Sequence, residues 1–307
     1  MTDVRTPVAV ARTESSARSF LRLSRPRQWH KAVMLFAAPA AAGVLDQPLV
    51  LLEAALAAVG FTLLAIAIYA FNDVRDVADD RRHPRKCLRP VAAGSISPAR
   101  AVFFGCVAAL LGLAVTSTLG LSTFLLGVSY LVAQVLYVLK LKHVAVVDLI
   151  LVALGFVLRA AAGGTATGVP VSHWFLLVSL FGALFLVTGK RKAERMAAGE
   201  PTEPQAAVSR PVLAAYSDGW LDQVMTVSLL GSALSYGSWA FQHLGYDVYR
   251  ELLAISFLPF LTGLLRYALI VSTGNGEVPE RDLFQDRVLL IAGLTWVALV
   301  GTGLYLA

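Results

Sequence analysis

Cysteine is nearly absent from this chain of 307 residues, and charge is sparse. Cys87 lies in a basic stretch and Cys106 in an apolar run, so no spacing supports a disulfide framework or a zinc site. Two lone thiols suit a reducing compartment. Asp, Glu, Lys and Arg make up 15% of residues, where a soluble chain carries roughly 25%. With 57% hydrophobic residues and a mean hydropathy of +0.68, too little polar surface remains for a soluble globule, and disordered and fibrous classes fall as well. No apolar signal-peptide core precedes the first basic segment. Neither a Walker loop nor a dinucleotide glycine fingerprint occurs, and the run Gly163 to Gly168 reads as a turn.

What is present is a succession of apolar stretches, near 32–47, 50–71, 101–118, 120–139, 144–163, 172–189, 221–242, 251–272 and 288–306. A span needs about 20 apolar residues. The expected class is therefore all-α: a polytopic membrane bundle of about nine transmembrane helices, the first short and liable to break at Pro39. Residues 1–16 read as a disordered cytoplasmic tail, and residues 17–307 as a single transmembrane catalytic domain. The segment from Ala17 to Lys31 has the basic, Leu- and Phe-bearing pattern of a helix lying on a membrane surface.

Charge then sets the orientation. All but three of the 26 Lys and Arg fall in the N-terminal segment or in alternate connections. The exceptions are Arg250, Arg159 and Arg266. By the positive-inside rule the N-terminus and long loops face the cytoplasm, which predicts a multi-pass protein of the inner or plasma membrane. The same distribution accounts for the net charge of +6 without nucleic acid. Membrane lipids are the expected surroundings.

The strongest chemical signal closes the second stretch: Tyr69-Ala-Phe-Asn72-Asp73-Val-Arg75-Asp76-Val-Ala-Asp79-Asp80. At about 100° per residue Asn72, Asp76 and Asp80 share one helix face, with Asp73 and Asp79 beside them. Like charges at this spacing repel, and carboxylates near a membrane are costly, so a neutralising partner is required. Magnesium suits carboxylate and amide oxygens and commonly shares them with substrate phosphates. Arg85, Lys86 and Arg89 follow, suited to anionic oxygens.

Asn72-Asp73-x-x-Asp76-x-x-x-Asp80 resembles the first signature of the UbiA-type intramembrane prenyltransferase superfamily. Arg25-Pro26-x-x-Trp29-x-Lys31, Tyr137-x-Leu139-Lys140 and Arg159-x-x-x-Gly163 follow the same resemblance in order. It implies a helical bundle around a central cavity, capped by cytoplasmic loops. It also implies that Asn72, Asp73, Asp76 and Asp80 hold magnesium and a donor diphosphate, with Asp73, Asp76 and Asp80 catalytic.

The second acidic motif expected after the sixth stretch is broken. Lys190-Arg191-Lys192-Ala193-Glu194 puts lysine where the first aspartate would be and keeps a carboxylate at Glu194. A basic second motif suits more phosphate than metals neutralise. It resembles the decaprenyl-phosphate phosphoribosyltransferase branch of the superfamily, whose implied donor is phosphoribosyl diphosphate (PRPP) and whose acceptor is a long polyprenyl phosphate, in cell-wall arabinan synthesis. The implied substrate-binding residues are Lys31, Tyr69, Lys86, Arg89, Tyr137, Lys140, Lys142, Lys190, Arg191, Lys192 and Glu194. Two other readings stand beside it: a UbiA-type transferase passing a prenyl group to an aromatic acceptor, and a transporter using the acidic stripe as a cation site. A homo-oligomer is left open.

Overall fold

Apolar segments cross hydrocarbon as helices because every backbone N–H and C=O must then be paired within the segment. The computed structural model describes residues 15–198, 211–242, 248–276, 282 and 284–306, and among these it contains helices and turns with no strand. Residues 1–14 of the expected tail lie outside the described residues, and Ser16 already opens a helix.

The elements in chain order are α1 (Ser16–Leu23), α2 (Met34–Ala41), α3 (Pro48–Arg75), α4 (Val77–Arg82), α5 (Pro98–Thr118), α6 (Leu121–Leu139), α7 (Val147–Ala166) and α8 (His173–Ala198). They continue with α9 (Asp218–Phe241), α10 (Val248–Ile255), α11 (Phe257–Ser272) and α12 (Arg287–Tyr305). Seven helical segments among the described residues are long and apolar enough to cross a membrane, with α10 and α11 together forming one of them. The two other expected spans differ. The stretch near 32–47 yields only the eight residues of α2, entered through a 3-10 helix over Pro26–Val33. The stretch near 221–242 is α9, long enough to cross but interrupted by the buried Ser228, Ser232 and Ser235.

Three further expectations are corrected. Gly163 and Gly164 lie inside α7 and are buried: a Cβ on Gly163 would stand 2.2 Å from the Leu35 carbonyl oxygen of α2, and one on Gly164 would stand 2.1 Å from the Val171 side chain. The surface helix expected over Ala17–Lys31 ends at Leu23, since Arg25 takes a left-handed φ of 51° and turns the chain into the 3-10 helix. The acidic stripe is not one helix. Asp76 adopts φ −96° and ψ 9° between α3 and α4, so the last turn is reset.

Side chains sort as lipid requires. Leu51, Phe103, Leu110, Leu234 and Ile291 point outward, whereas helix contacts rely on small residues that let backbones approach. Gly112, for example, would place a Cβ 2.9 Å from the Gly60 carbonyl oxygen where α3 meets α5. Leu35, Phe61, Leu64, Tyr130 and Ala162 pack one core across α2, α3, α6 and α7. Phe185, Met225, Tyr267, Val271 and Leu289 pack another across α8, α9, α11 and α12.

Candidate active site

The acidic signature gathers at the end of α3, under α1 and the loop that follows α4. Leu23 and Phe20 of α1 pack on Ala70, Val91 and Ile96, which brings Arg25 over the carboxylates. Arg25 hydrogen-bonds Asp73, and its guanidinium lies 4.9 Å from the centre of the Tyr69 ring. Asp73 and Asp80 are both nearly buried. Arg89 Nη1 bridges them, 2.7 Å from Asp80 Oδ2 and 3.4 Å from Asp73 Oδ1. Asp76 meets Lys142 Nζ at 2.5 Å. Asn72 lies half-buried beside them. Asp79 departs from the stripe, turning outward to pair with Arg82, with both side chains exposed. Lys86 is half-buried in the short helix just after α4.

The basic second motif sits on the same end, reached through the connection between α6 and α7. Arg191 is buried and donates to Asp148 Oδ2 at 3.0 Å, to Glu194 Oε2 at 3.0 Å and to the Tyr137 hydroxyl at 3.5 Å. The Tyr216 hydroxyl donates to the other Asp148 oxygen and accepts from the Val146 amide at 2.9 Å. Burial pushes the Tyr216 phenol well up, and the hydrogen bond to Asp148 pushes it the same way, so Tyr216 stays a donor at neutral pH. Lys192 pairs with Asp222, and Arg195 with Asp218 at 2.7 Å. Lys190 is half-buried and Lys140 exposed. Among the described residues these two make no ion pair.

The expected basic triplet is therefore not uniform. Arg191 and Lys192 are spent on protein carboxylates and Lys190 is not. Sequence reasoning left Arg25, Asp148 and Asp222 out of the site. Asp148 had a readable signal as a lone acid opening an apolar stretch, and Arg25 stands in the Arg25-Pro26-x-x-Trp29 motif. For Asp222 the sequence offers no comparable sign.

Between α3, α7 and the 3-10 helix runs a narrow cleft lined by Gln28, Trp29, Lys31, Ala32, Phe61, Thr62, Ala65, Tyr69 and Arg159. Lys31 and Tyr69 thus face this cleft.

Residues 32–284 match the model of the UbiA prenyltransferase family. The chain belongs to that family. It is similar to the decaprenyl-phosphate phosphoribosyltransferase of Mycobacterium tuberculosis, with 43% identity over 281 residues, 90% of this chain and 91% of that protein. It is also similar to the protein of that name from Corynebacterium glutamicum, with 37% identity over 300 residues, 94% of this chain and 88% of the other. Among solved structures, a UbiA homolog from Archaeoglobus fulgidus bound to GPP and Mg2+ superposes with a TM-score of 0.68 at 18% identity, covering 94% of this chain and 100% of the other. That likeness shows the shared UbiA fold.

The structure also bears on a divalent cation. No three His, Cys, Asp or Glu side chains among the described residues converge closely enough to hold one. Yet each carboxylate of the signature already faces a positive group: Arg25 and Arg89 for Asp73, Arg89 for Asp80 and Lys142 for Asp76. These protein cations match the carboxylate charge in this structure, while the carboxylate oxygens are hard donors of the kind magnesium takes. By donor chemistry alone, Asn72, Asp73, Asp76 and Asp80 suit such an ion.

Proposed function

We propose that this protein is a membrane phosphoribosyltransferase, moving 5-phosphoribose from PRPP to the phosphate oxygen of decaprenyl or a similar long polyprenyl phosphate. The products are the polyprenylphosphoryl phosphoribose and diphosphate. The observation that carries this reading is the opposition, at one end of the bundle, of an acidic cluster and a second motif in which Lys190 replaces an acid and keeps no protein partner among the described residues. The relatives' names point the same way. On this reading the protein sits in the plasma membrane with this end in the cytoplasm, and residues 17–307 form one catalytic domain that serves cell-wall arabinan synthesis.

In the reaction the bond between ribose C1 and the diphosphate oxygen breaks, the electron pair leaving with diphosphate. A lipid phosphate oxygen forms the new bond to C1. That oxygen is anionic at neutral pH, so no general base is required. Magnesium, when held by Asn72, Asp73, Asp76 and Asp80, would supply positive charge against the leaving group. Arg25 and Arg89, which flank these carboxylates, hold the remaining diphosphate oxygens. Lys190 and Lys140 meet the donor's 5-phosphate at the aqueous edge, and Arg191, fixed by Asp148, holds Glu194 and Tyr137 in place. Lys142 and Lys86 complete the basic rim. Most of the rate would come from positioning and fixed electrostatics.

The test offers purified protein PRPP with decaprenyl phosphate and, separately, a prenyl diphosphate with aromatic acids. Consumption of the first pair alone is expected. Consumption of the second pair alone would make the protein an aromatic prenyltransferase.

A further inference from the structure

Arg159 lies within α7, 6% exposed, and no carboxylate faces it among the described residues. Its Nη1 donates to the Gly155 carbonyl at 3.0 Å and its Nη2 to the Tyr130 hydroxyl at 2.6 Å, with the Tyr130 ring centre 4.6 Å away. These contacts leave guanidinium donors unused, and none of them cancels the charge. The other two buried cations among the described residues, Arg191 and Lys192, each have a carboxylate. A buried, uncompensated charge among membrane helices is costly and marks a functional site.

The guanidinium lines the cleft, where Lys31, Gln28 and Tyr69 supply further polar atoms. Thr62, Ala65 and Tyr69 step by three and four residues along one face of α3, and Asn72 continues that face. The cleft and the acidic cluster therefore share one wall, Tyr69 standing about 6 Å along the axis from Asp73. On its other side the cleft meets Phe61 and Ala32, which belong to the apolar packing around Leu35 and Leu64.

We infer that Arg159 and Lys31 seat a phosphate monoester, and that this is the headgroup of the polyprenyl phosphate acceptor. This rests on the phosphoribosyl-transfer reading above. An anion bordered on one side by Phe61 and Ala32 suits a phosphate whose single ester carries hydrocarbon. The seat also puts the nucleophile next to the acidic cluster along α3, one helical turn from the donor diphosphate.

Purified full-length protein is titrated, without turnover, with decaprenyl phosphate alone and with PRPP alone. Arg159→Gln should weaken decaprenyl phosphate binding about tenfold or more and change PRPP binding by less than about threefold, with Arg159→Lys intermediate. Weakened PRPP binding with lipid binding intact would place the donor's 5-phosphate in the cleft and overturn the assignment. No change in either would make Arg159 structural and overturn it as well. If Arg159→Gln does not fold, Thr62→Leu, which narrows the cleft from α3, must show the same selective loss or the assignment fails. Failure of the underlying reading is distinct: the wild type would then not convert PRPP and decaprenyl phosphate at all.

Discussion

Lys142 Nζ lies 2.5 Å from Asp76 Oδ1, a contact between residues 66 positions apart. It ties the connection between α6 and α7 to the end of α3, and so joins the acidic and basic motifs. The pair is largely shielded, with side chains 12% and 25% exposed. Lys142→Met should therefore lower the initial rate of phosphoribosyl transfer by about tenfold or more, because Asp76 loses its fixed cation. The melting temperature in detergent should fall only modestly, since Asp76, 25% exposed, can turn to water once its partner is gone.

The Arg191–Asp148 pair behaves in the opposite way. Both groups are buried and the contact is 3.0 Å. Removing one partner leaves a buried charge, at a cost of roughly 3–5 kcal/mol. Asp148→Asn or Arg191→Met should each lower thermal stability sharply, and the double variant should recover part of the loss. Melting curves of the three variants in one detergent check this. Additive losses in the double variant would mean that the two side chains are not coupled.

Lys190 separates from its neighbours. Lacking a protein partner among the described residues, it can be replaced without breaking an ion pair, whereas Lys192→Ala frees Asp222. Lys190→Ala should raise the KM for PRPP about tenfold, the effect of one charge-assisted hydrogen bond. Stability should stay unchanged. A raised KM for Lys192→Ala with none for Lys190→Ala would reverse the roles.

Much of this was legible before any coordinates. Residues 101–118, 120–139 and 144–163 closely overlap α5, α6 and α7, because apolar length is a local property. That Asp73 and Asp80 approach one another, both reached by Arg89, was suggested by helical spacing, although the break at Asp76 and the outward turn of Asp79 were not. The partners were not legible. Arg191 with Asp148 and Lys192 with Asp222 are set by how α7, α8 and α9 pack, which no local periodicity records. Arg159 was visible as a charge within a span, but its lack of a carboxylate emerges only from packing.

Arg266, the other charge assigned to a span, is held by Asp286 through contacts of 2.8 and 3.1 Å. The Arg266 guanidinium pulls the Asp286 carboxyl down to about 2, and the Leu289 amide acts in the same direction. A depressed folded value means that the stabilisation is complete above the unfolded value, near 3.8, and is lost as pH falls through about 2. Asp286→Asn should therefore lower the melting temperature by the same amount at pH 5 and at pH 8. A penalty that shrinks at pH 5 would contradict this pairing.

The most direct measurement follows two labels through one reaction. PRPP labelled at the 5-phosphate, and separately at the β-phosphate of its diphosphate, is incubated with decaprenyl phosphate and the purified protein. The 5-phosphate label should appear in the lipid fraction and the β-phosphate label in free diphosphate, in equal amounts. A β-phosphate label in the lipid, or no lipid label from either position, would contradict transfer of the phosphoribosyl group.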